Sequence, residues 1–598
     1  MSWEEVILHF YSFHSNFSNI FSPLQYTPYC NTNIMTGKKL LLAFSKAHRS
    51  RVLGVLLLGF WANAATLLLP LVIAQTYSLL FDFQSARGRL LEKFGISWQA
   101  DFRSWLAFLP ILILIKAILD FFRKSEQGKL TETFLHWLRR RLFLHQLRME
   151  LKQYEERGVG RYLLRFSGDL SSVQQFLSKG ILQFSADMLL VMMGLALLFW
   201  LDSWLGGLML IASLLLGGAV LIINRQIGKL ETQRRDQKSA LLSFINLRLL
   251  NVAALKAFNK ETPELQRFDR RAKKIQQLGF LYHRQAALLE ACVPFAVYAT
   301  LALAFLLVYN WKQSGYAFQS DNIFAFILIL LALRSTLSRT LRIGLVWKKG
   351  KISLQKITQL LQQDTEAGWS KPELNFKQPT LRLDGLTLQF HENHIFENLH
   401  FTLSPGKRGV IIGKSGSGKS ALVKTLAGLY QPSAGQIHLD AHSIFDLHPK
   451  SLRRQLAFVS DALPLYGKTI GEALAYSRRH QAKAAALFQQ WQSLFPALQG
   501  LDFNTPLRES GRLSGSQLQL LQWLRALLTK KPFLILDEPF QNLDAETVQI
   551  LWQQIPADCA VLLLTSNVEI LERLDIQLDW HLNLEKNTLS EKLIPLAQ

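Results

Sequence analysis

Apolar residues run in long stretches through the first 350 positions and in short, strand-sized stretches after that. Six of the long runs are Val52–Phe81, Trp105–Phe122, Gly180–Leu201, Trp204–Asn224, Ala286–Tyr309 and Ile323–Val346. Each meets the roughly 17–25 residues that a helix needs to cross a bilayer. The second is interrupted by Pro110 and carries Lys116 and Asp120, spaced at i, i+4 to pair with each other. Only Asp202-Ser203 separates the third run from the fourth, so these two form an antiparallel pair. The segments Arg123–Lys179 and Arg225–Arg284 are long, helical in pattern and basic. Six spans bring both termini to one side, and the two basic segments make that side cytoplasmic.

The pattern divides the chain into a tail, residues 1–36, a membrane domain of six helices with two cytoplasmic loops, residues 37–350, a linker, 351–375, and a second domain, 376–598. The tail lacks the basic start and apolar centre of a signal peptide. Met35, just before Lys38-Lys39, is a candidate start of synthesis, and Leu40–Ser50 has the amphipathic pattern of an elbow on the inner membrane face. Beyond Pro372, the short runs Leu381–Leu383, Thr387–Phe390, Val410–Ile412, Phe533–Leu536 and Val561–Leu564 alternate with helical stretches. That alternation predicts an α/β domain with a mainly parallel core sheet.

Composition sharpens the first half of this picture. Hydrophobic residues make up 49% and charged ones 19% of the chain, an apolar balance that favours a membrane protein. A net charge of +23 fits a nucleic-acid surface or cationic loops beside membrane spans. The cations cluster beside apolar runs, which favours the spans and argues against nucleic acid. Cys30, Cys292 and Cys559 lie far apart, with the spacing of neither a disulfide framework nor a zinc site.

The chemistry sits in the second half. Gly413-Lys414-Ser415-Gly416-Ser417-Gly418-Lys419-Ser420 follows the apolar run Gly409–Ile412 and opens into a helical pattern. This is G-x-x-x-x-G-K-[ST] between a strand and a helix, the setting that makes the motif credible as a phosphate loop rather than a Gly/Ser turn. Glycines let successive backbone N–H groups face a polyphosphate, and the helix N-terminus adds its positive dipole end. Lys419 then reaches the β- and γ-phosphates of a nucleoside triphosphate, and the Ser420 hydroxyl sits on Mg²⁺. Downstream, Phe533–Leu536 runs into Asp537-Glu538. A buried strand there places Asp537 as a Mg²⁺ partner and Glu538 beside the attacking water. Between the two motifs, Leu513-Ser514-Gly515-Ser516-Gln517 opens another helix, as an anion site or as a simple N-cap.

Taken together, residues 376 to about 590 resemble the nucleotide-binding domain of an ABC ATPase, with the phosphate loop, the signature Leu513–Gln517, the carboxylates Asp537-Glu538 and the turn Gln541–Asp544 in the family's order. Residues 37–350 resemble the six-helix membrane domain of ABC exporters. Glu156–Arg161 through Val173 is similar to that class's first cytoplasmic loop, and Val252–Glu261 to its second. The resemblance implies a half-transporter that works with a second one, each ATP lying between one chain's phosphate loop and the other's signature. It makes Phe390 the aromatic that stacks on adenine, and it implies transmission through segments near residues 151–160 and 247–258.

Departures from the family pattern carry their own expectation. Asp461 stands where the family has a glutamine that contacts Mg²⁺ and water; a carboxylate still ligates metal but lacks amide donors. Ser566 replaces a histidine, and Ser516 replaces the signature's second glycine. Asp461 and Ser566 both belong to the site built on this chain's own Lys419, whereas the signature is nearly intact. The expectation is a slow own site and a heterodimer with a consensus partner in preference to a homodimer; the retained Glu538 argues the other way.

The reading is therefore an ATP-driven exporter in the cytoplasmic membrane of a bacterium, moving a lipid, a peptide or an amphiphilic drug. The alternative is a membrane sensor subunit that binds ATP without turnover. Glu290 lies in the fifth span, and Arg334, Arg339 and Arg342 in the sixth. A basic cavity wall there suits an anionic amphiphile; arginines at the inner end of a span also satisfy the positive-inside rule.

Overall fold

A computed structural model describes residues 37–80, 102–158, 162–163, 165–313, 320–341, 343–390, 393–475, 477–507, 513–567, 571, 578–584 and 588–590. The tail 1–36, with Met35, and Arg342 lie outside them. The chain forms two units: Met1–Gln146 with Gly160–Gln363, and Leu147–Val159 with Asp364–Gln598.

The first unit is helical. Five of its helices are long and apolar enough to cross a membrane among the described residues: Arg49–Ala74, Arg165–Leu201, Ser203–Leu250, Glu261–Trp311 and Ile323–Leu361. The other expected span, Trp105–Phe122, lies inside the helix Phe102–Arg148. That helix continues through Pro110, a correction to the expected interruption; a proline's freed carbonyl is more readily re-satisfied in a membrane helix. Asp120 likewise pairs with Arg123 at 2.8 Å, one turn on, in place of Lys116. Ser203–Leu250 and Glu261–Gln313 each rise roughly 70–80 Å at 1.5 Å per residue, far beyond a bilayer core of about 30 Å. Their basic halves therefore stand in water.

Asp202 turns the chain between two spans by accepting hydrogen bonds from the N–H groups of Trp204 (2.9 Å) and Leu205 (3.2 Å). The packed centre gathers Leu190, Leu198, Met209, Val297, Phe326 and Leu333 from four helices. A buried carboxylate, Asp187, crosses it to Arg339 in a two-pronged contact at 2.9 and 3.2 Å. The expected elbow is the helix Gly37–Ala47; Leu40 and Phe44, one turn apart, bury on its inner side, Phe44 edge-on to Phe134 at 4.9 Å.

The second unit has two sheets. Strands β1 (Leu381–Phe390), β2 (Asn393–Leu403), β3 (Arg408–Ile412), β4 (Ala434–Leu439), β5 (His442–Ser443), β6 (Leu456–Val459), β7 (Phe533–Asp537), β8 (Ala560–Thr565), β9 (Trp580–Asn583) and β10 (Thr588–Ser590) divide between them. One sheet is antiparallel, in the order β2-β1-β4-β5; the other runs β10-β9-β3-β8-β7-β6 and is parallel except at β10. Every residue of β7 and β8 is buried, as their continuous apolar runs require of a sheet covered on both faces. The register pairs Ile412 with Thr565, Asp537 with Leu564, and Val459 with Leu536. The C-terminal ends of β3, β8, β7 and β6 thus lie side by side, where open α/β sheets bind ligands.

Candidate functional site

Four strand ends and one loop build the site. The chain leaves β3 into Gly413–Ser420, with Gly416 and Gly418 at φ +87° and +96°, and then forms the helix Lys419–Leu426. A Cβ on Gly418 would lie 2.4 Å from Ile395, so the turn needs glycine both for its left-handed backbone and for space. Lys419 is 6% exposed and turns back into the loop, its Nζ 2.6 Å from the Gly413 carbonyl and 2.9 Å from that of Lys414. It also meets Glu538 Oε1 at 3.2 Å.

Ser420 donates to Asp537 Oδ2 at 2.9 Å, and Ser460, at the end of β6, donates to the same oxygen at 2.8 Å. Burial pushes the Asp537 carboxyl above the usual carboxylate range, against the two serine hydrogen bonds. Its other oxygen, Oδ1, is buried and accepts no hydrogen bond among the described residues. A carboxylate oxygen and a serine oxygen at one point, with one acceptor left over, fit a hard divalent cation such as Mg²⁺.

Glu538 follows with φ +48°, a left-handed backbone that costs a non-glycine residue on the order of 1 kcal/mol. Its surroundings hold it there: Glu538 N–H donates to the Leu564 carbonyl (2.9 Å), and its own carbonyl accepts from Gln519 Nε2 (3.0 Å). The carboxylate takes the Ser566 backbone N–H on Oε1 (2.9 Å) and the Thr565 hydroxyl on Oε2 (3.2 Å). Ser566 thus reaches Glu538 through its backbone.

The remaining expected residues are placed elsewhere in the same unit. Asp461 follows Ser460 in the chain, and its Oδ1 accepts from Gln522 Nε2 at 3.2 Å. Ser514 caps the helix Gly515–Leu528 in a reciprocal box with Gln517, at 3.2 and 2.8 Å, and its Oγ lies 2.9 Å from Ser516 Oγ. Leu513 packs on the core beneath that helix start. Gln519, one turn into this helix, accepts from Asn542 N–H (3.1 Å) and so joins the signature, the turn at 541–544 and Glu538. Phe390 ends β1 with its ring edge-on to Tyr430 (5.0 Å) and Lys152 Nζ 5.7 Å from its centre. It lines a cleft of about 270 Å³ that also takes in Glu150, Lys152 and Arg453 but no phosphate-loop residue. Ser460, Gln519, Gln522 and Thr565 were not foreseen; for Ser460 the signal was its place at the end of a short apolar run beside Asp461.

Fold and site together define a nucleotide-binding unit of the phosphate-loop type in one chain with membrane-spanning helices. The model described as "ABC transporter transmembrane region" matches residues 52–337, and the one described as "ABC transporter" matches residues 396–541. The chain belongs to the ABC transporters, in the exporter class, with membrane and ATPase domains fused as in a half-transporter. An ATP-dependent lipid A-core flippase of Dechloromonas aromatica is 26% identical over 79% of this chain and 83% of its own length. One from Photobacterium profundum is 25% identical over 73% and 76%. A solved bacterial Atm1-family ABC exporter with ATP bound shares the fold, at a TM-score of 0.74 and 23% identity, over 91% of this chain and 94% of its own. The protein is a multi-pass membrane exporter with a cytoplasmic ATPase domain, an ATPase coupled to transport, and acts as a dimer in the bilayer.

Proposed function

We propose that the chain exports a lipid amphiphile and that the residues above divide the work of its ATPase. Lys419 and the loop amides hold phosphate, Ser420 and Asp537 hold Mg²⁺, Glu538 acts on the attacking water, and Phe390 faces adenine. Mg²⁺, when bound, neutralises charge developing on the phosphate oxygens. What supports the assignment above all is the convergence of Lys419, Ser420, Asp537 and Glu538 at adjoining strand ends. Both named relatives are lipid A-core flippases, which supports a lipid as the transported class.

ATPase activity and movement of a fluorescent lipid, measured with the purified chain in vesicles, test this. Glu538→Gln should lower turnover at least a hundred-fold while ATP still binds, and Lys419→Ala should lose binding. Turnover that survives Glu538→Gln refutes the assignment.

A second reading rests on Asp461 and Ser566. The resemblance sets a glutamine and a histidine at these positions; here Asp461 accepts from Gln522 and Ser566 meets Glu538 through its backbone N–H. That favours a slow own site, the signature Leu513–Gln517 serving a consensus partner in a heterodimer.

A further inference from the structure

The C-terminal half of the helix Ser320–Leu341 carries polar side chains away from its buried side, apart from the buried Thr336, and beside the exposed Leu331. Its buried side reads Phe326, Ile329, Leu330, Leu333 and Leu337, all in the apolar centre of the unit. Arg334, Ser335, Ser338 and Arg339 lie on the opposite, half-buried to exposed side, spaced as one face of a helix. A face turned to acyl chains has no reason to carry two arginines and two serines; such a face in a membrane span fronts an aqueous path.

The two arginines differ in what they touch. Arg339 is neutralised by Asp187 and further tied to Thr336 at 3.0 Å. Arg334 meets no acidic side chain among the described residues. Its Nη1 donates to the Tyr298 hydroxyl at 3.3 Å, and its guanidinium carbon lies 5.5 Å from the centre of that ring. The span begins at Ile323, which puts Arg334 about 16 Å along the helix at 1.5 Å per residue, near the middle of a hydrocarbon core of about 30 Å. A cation at that depth with no acidic partner among the described residues is costly and marks a functional group. With Nη1 on Tyr298, the edge formed by Nε and Nη2 has no partner among the described residues, and that edge matches two oxygens of one anion.

We infer that Arg334, oriented by Tyr298 and flanked by the hydroxyls of Ser335 and Ser338, is a headgroup subsite on the transport path, and that its ligand is the anionic headgroup of a lipid. The inference rests on the lipid-export reading and adds the charge of the headgroup and the residue that selects it.

The test uses the full chain in phosphatidylcholine nanodiscs with increasing phosphatidylglycerol, reading ATPase rate against the anionic fraction. Movement of fluorescent phosphatidylglycerol and phosphatidylcholine in vesicles is followed in parallel. Wild type should be stimulated by phosphatidylglycerol and move it in preference. Arg334→Gln should need at least ten-fold more of it for half-stimulation and lose the preference. Arg334→Lys, which keeps the charge and loses the fork, should fall between the two. Equal titrations for wild type and Arg334→Gln overturn the subsite and leave lipid export standing. Equal rates in both lipids, with stimulation by a soluble acidic tripeptide instead, overturn the lipid headgroup and leave ATP-driven export standing. Absence of ATPase in every lipid overturns the functional reading and the subsite with it.

Discussion

Replacing Glu155 by Gln probes how residues 147–159 are held within the nucleotide-binding unit. Glu155 lies in the short helix Leu151–Arg157. One carboxylate oxygen accepts from Lys424 Nζ at 2.9 Å and the other from the Tyr430 hydroxyl. Lys424 sits in the last turn of the helix that Lys419 opens, so this contact is one short helix away from the phosphate loop. Partial burial alone would raise the Glu155 carboxyl; the hydrogen bonds from Lys424 and Tyr430 outweigh it and leave the group below its usual value. The Glu155 side chain is 43% exposed, so solvent screening cuts the pair to about 1 kcal/mol, short of the 1.5–3 of an enclosed charged bond. About 1 kcal/mol is roughly a five-fold change in an equilibrium constant. Glutamine keeps the size and an acceptor for Tyr430 but loses the charge facing Lys424. Amide exchange in residues 151–157 should therefore quicken about five-fold in Glu155→Gln, with β7 unchanged. The sign with pH follows from the depressed carboxyl: its contribution is complete above the ordinary value of 4.5 and disappears as pH falls through the lower folded value. Wild-type protection should then decline toward that of the variant in acid. Identical exchange in residues 151–157 of both proteins at neutral pH would refute the reasoning.

Two further outcomes are expected. Asp461→Gln restores amide donors at the family's position and can still bond Gln522; it should raise steady-state ATPase several-fold, and an unchanged or lower rate would argue that Asp461 does not slow the site. Lys531, its Nζ bonded to the carbonyls of Arg453 (2.9 Å) and Leu456 (2.7 Å), is depressed by burial from 10.5 to about 8. The unfolded chain then binds more protons than the folded one between those values, so stability of the nucleotide-binding unit should rise with pH from about 8 to 10.5. Lys531→Met should flatten that slope in melts followed by near-ultraviolet circular dichroism, and a slope retained in the variant would assign it to another group.

Much of the fold was legible because it rests on local pattern. Apolar runs of bilayer length, the strand–glycine loop–helix at 409–426 and the carboxylates closing β7 each specify their own geometry within one continuous stretch of chain. What escaped depends on residues far apart in the chain. Nothing near Glu155 in sequence announces Lys424, 269 positions away. The left-handed backbone of Glu538 is imposed by Gln519 and by β8, and the partner of Asp461 comes from a helix 61 positions downstream. Asp120 has three basic residues within about one turn, Lys116, Arg123 and Lys124, and spacing alone could not choose Arg123.

The assignment of Leu147–Val159 to the second unit has a consequence for biosynthesis. The segment leaves the ribosome early, but the sheets and helices that it packs against are encoded after residue 364. With roughly 440 residues still to be made at about 5–20 per second, it waits some 20–90 seconds before its surroundings are complete. Throughout that interval Glu155, Lys152 and Tyr154 are available to chaperones and proteases. A nascent chain stalled before Lys424 is translated would carry a first unit already rich in membrane helices and a docking helix with nothing to dock on.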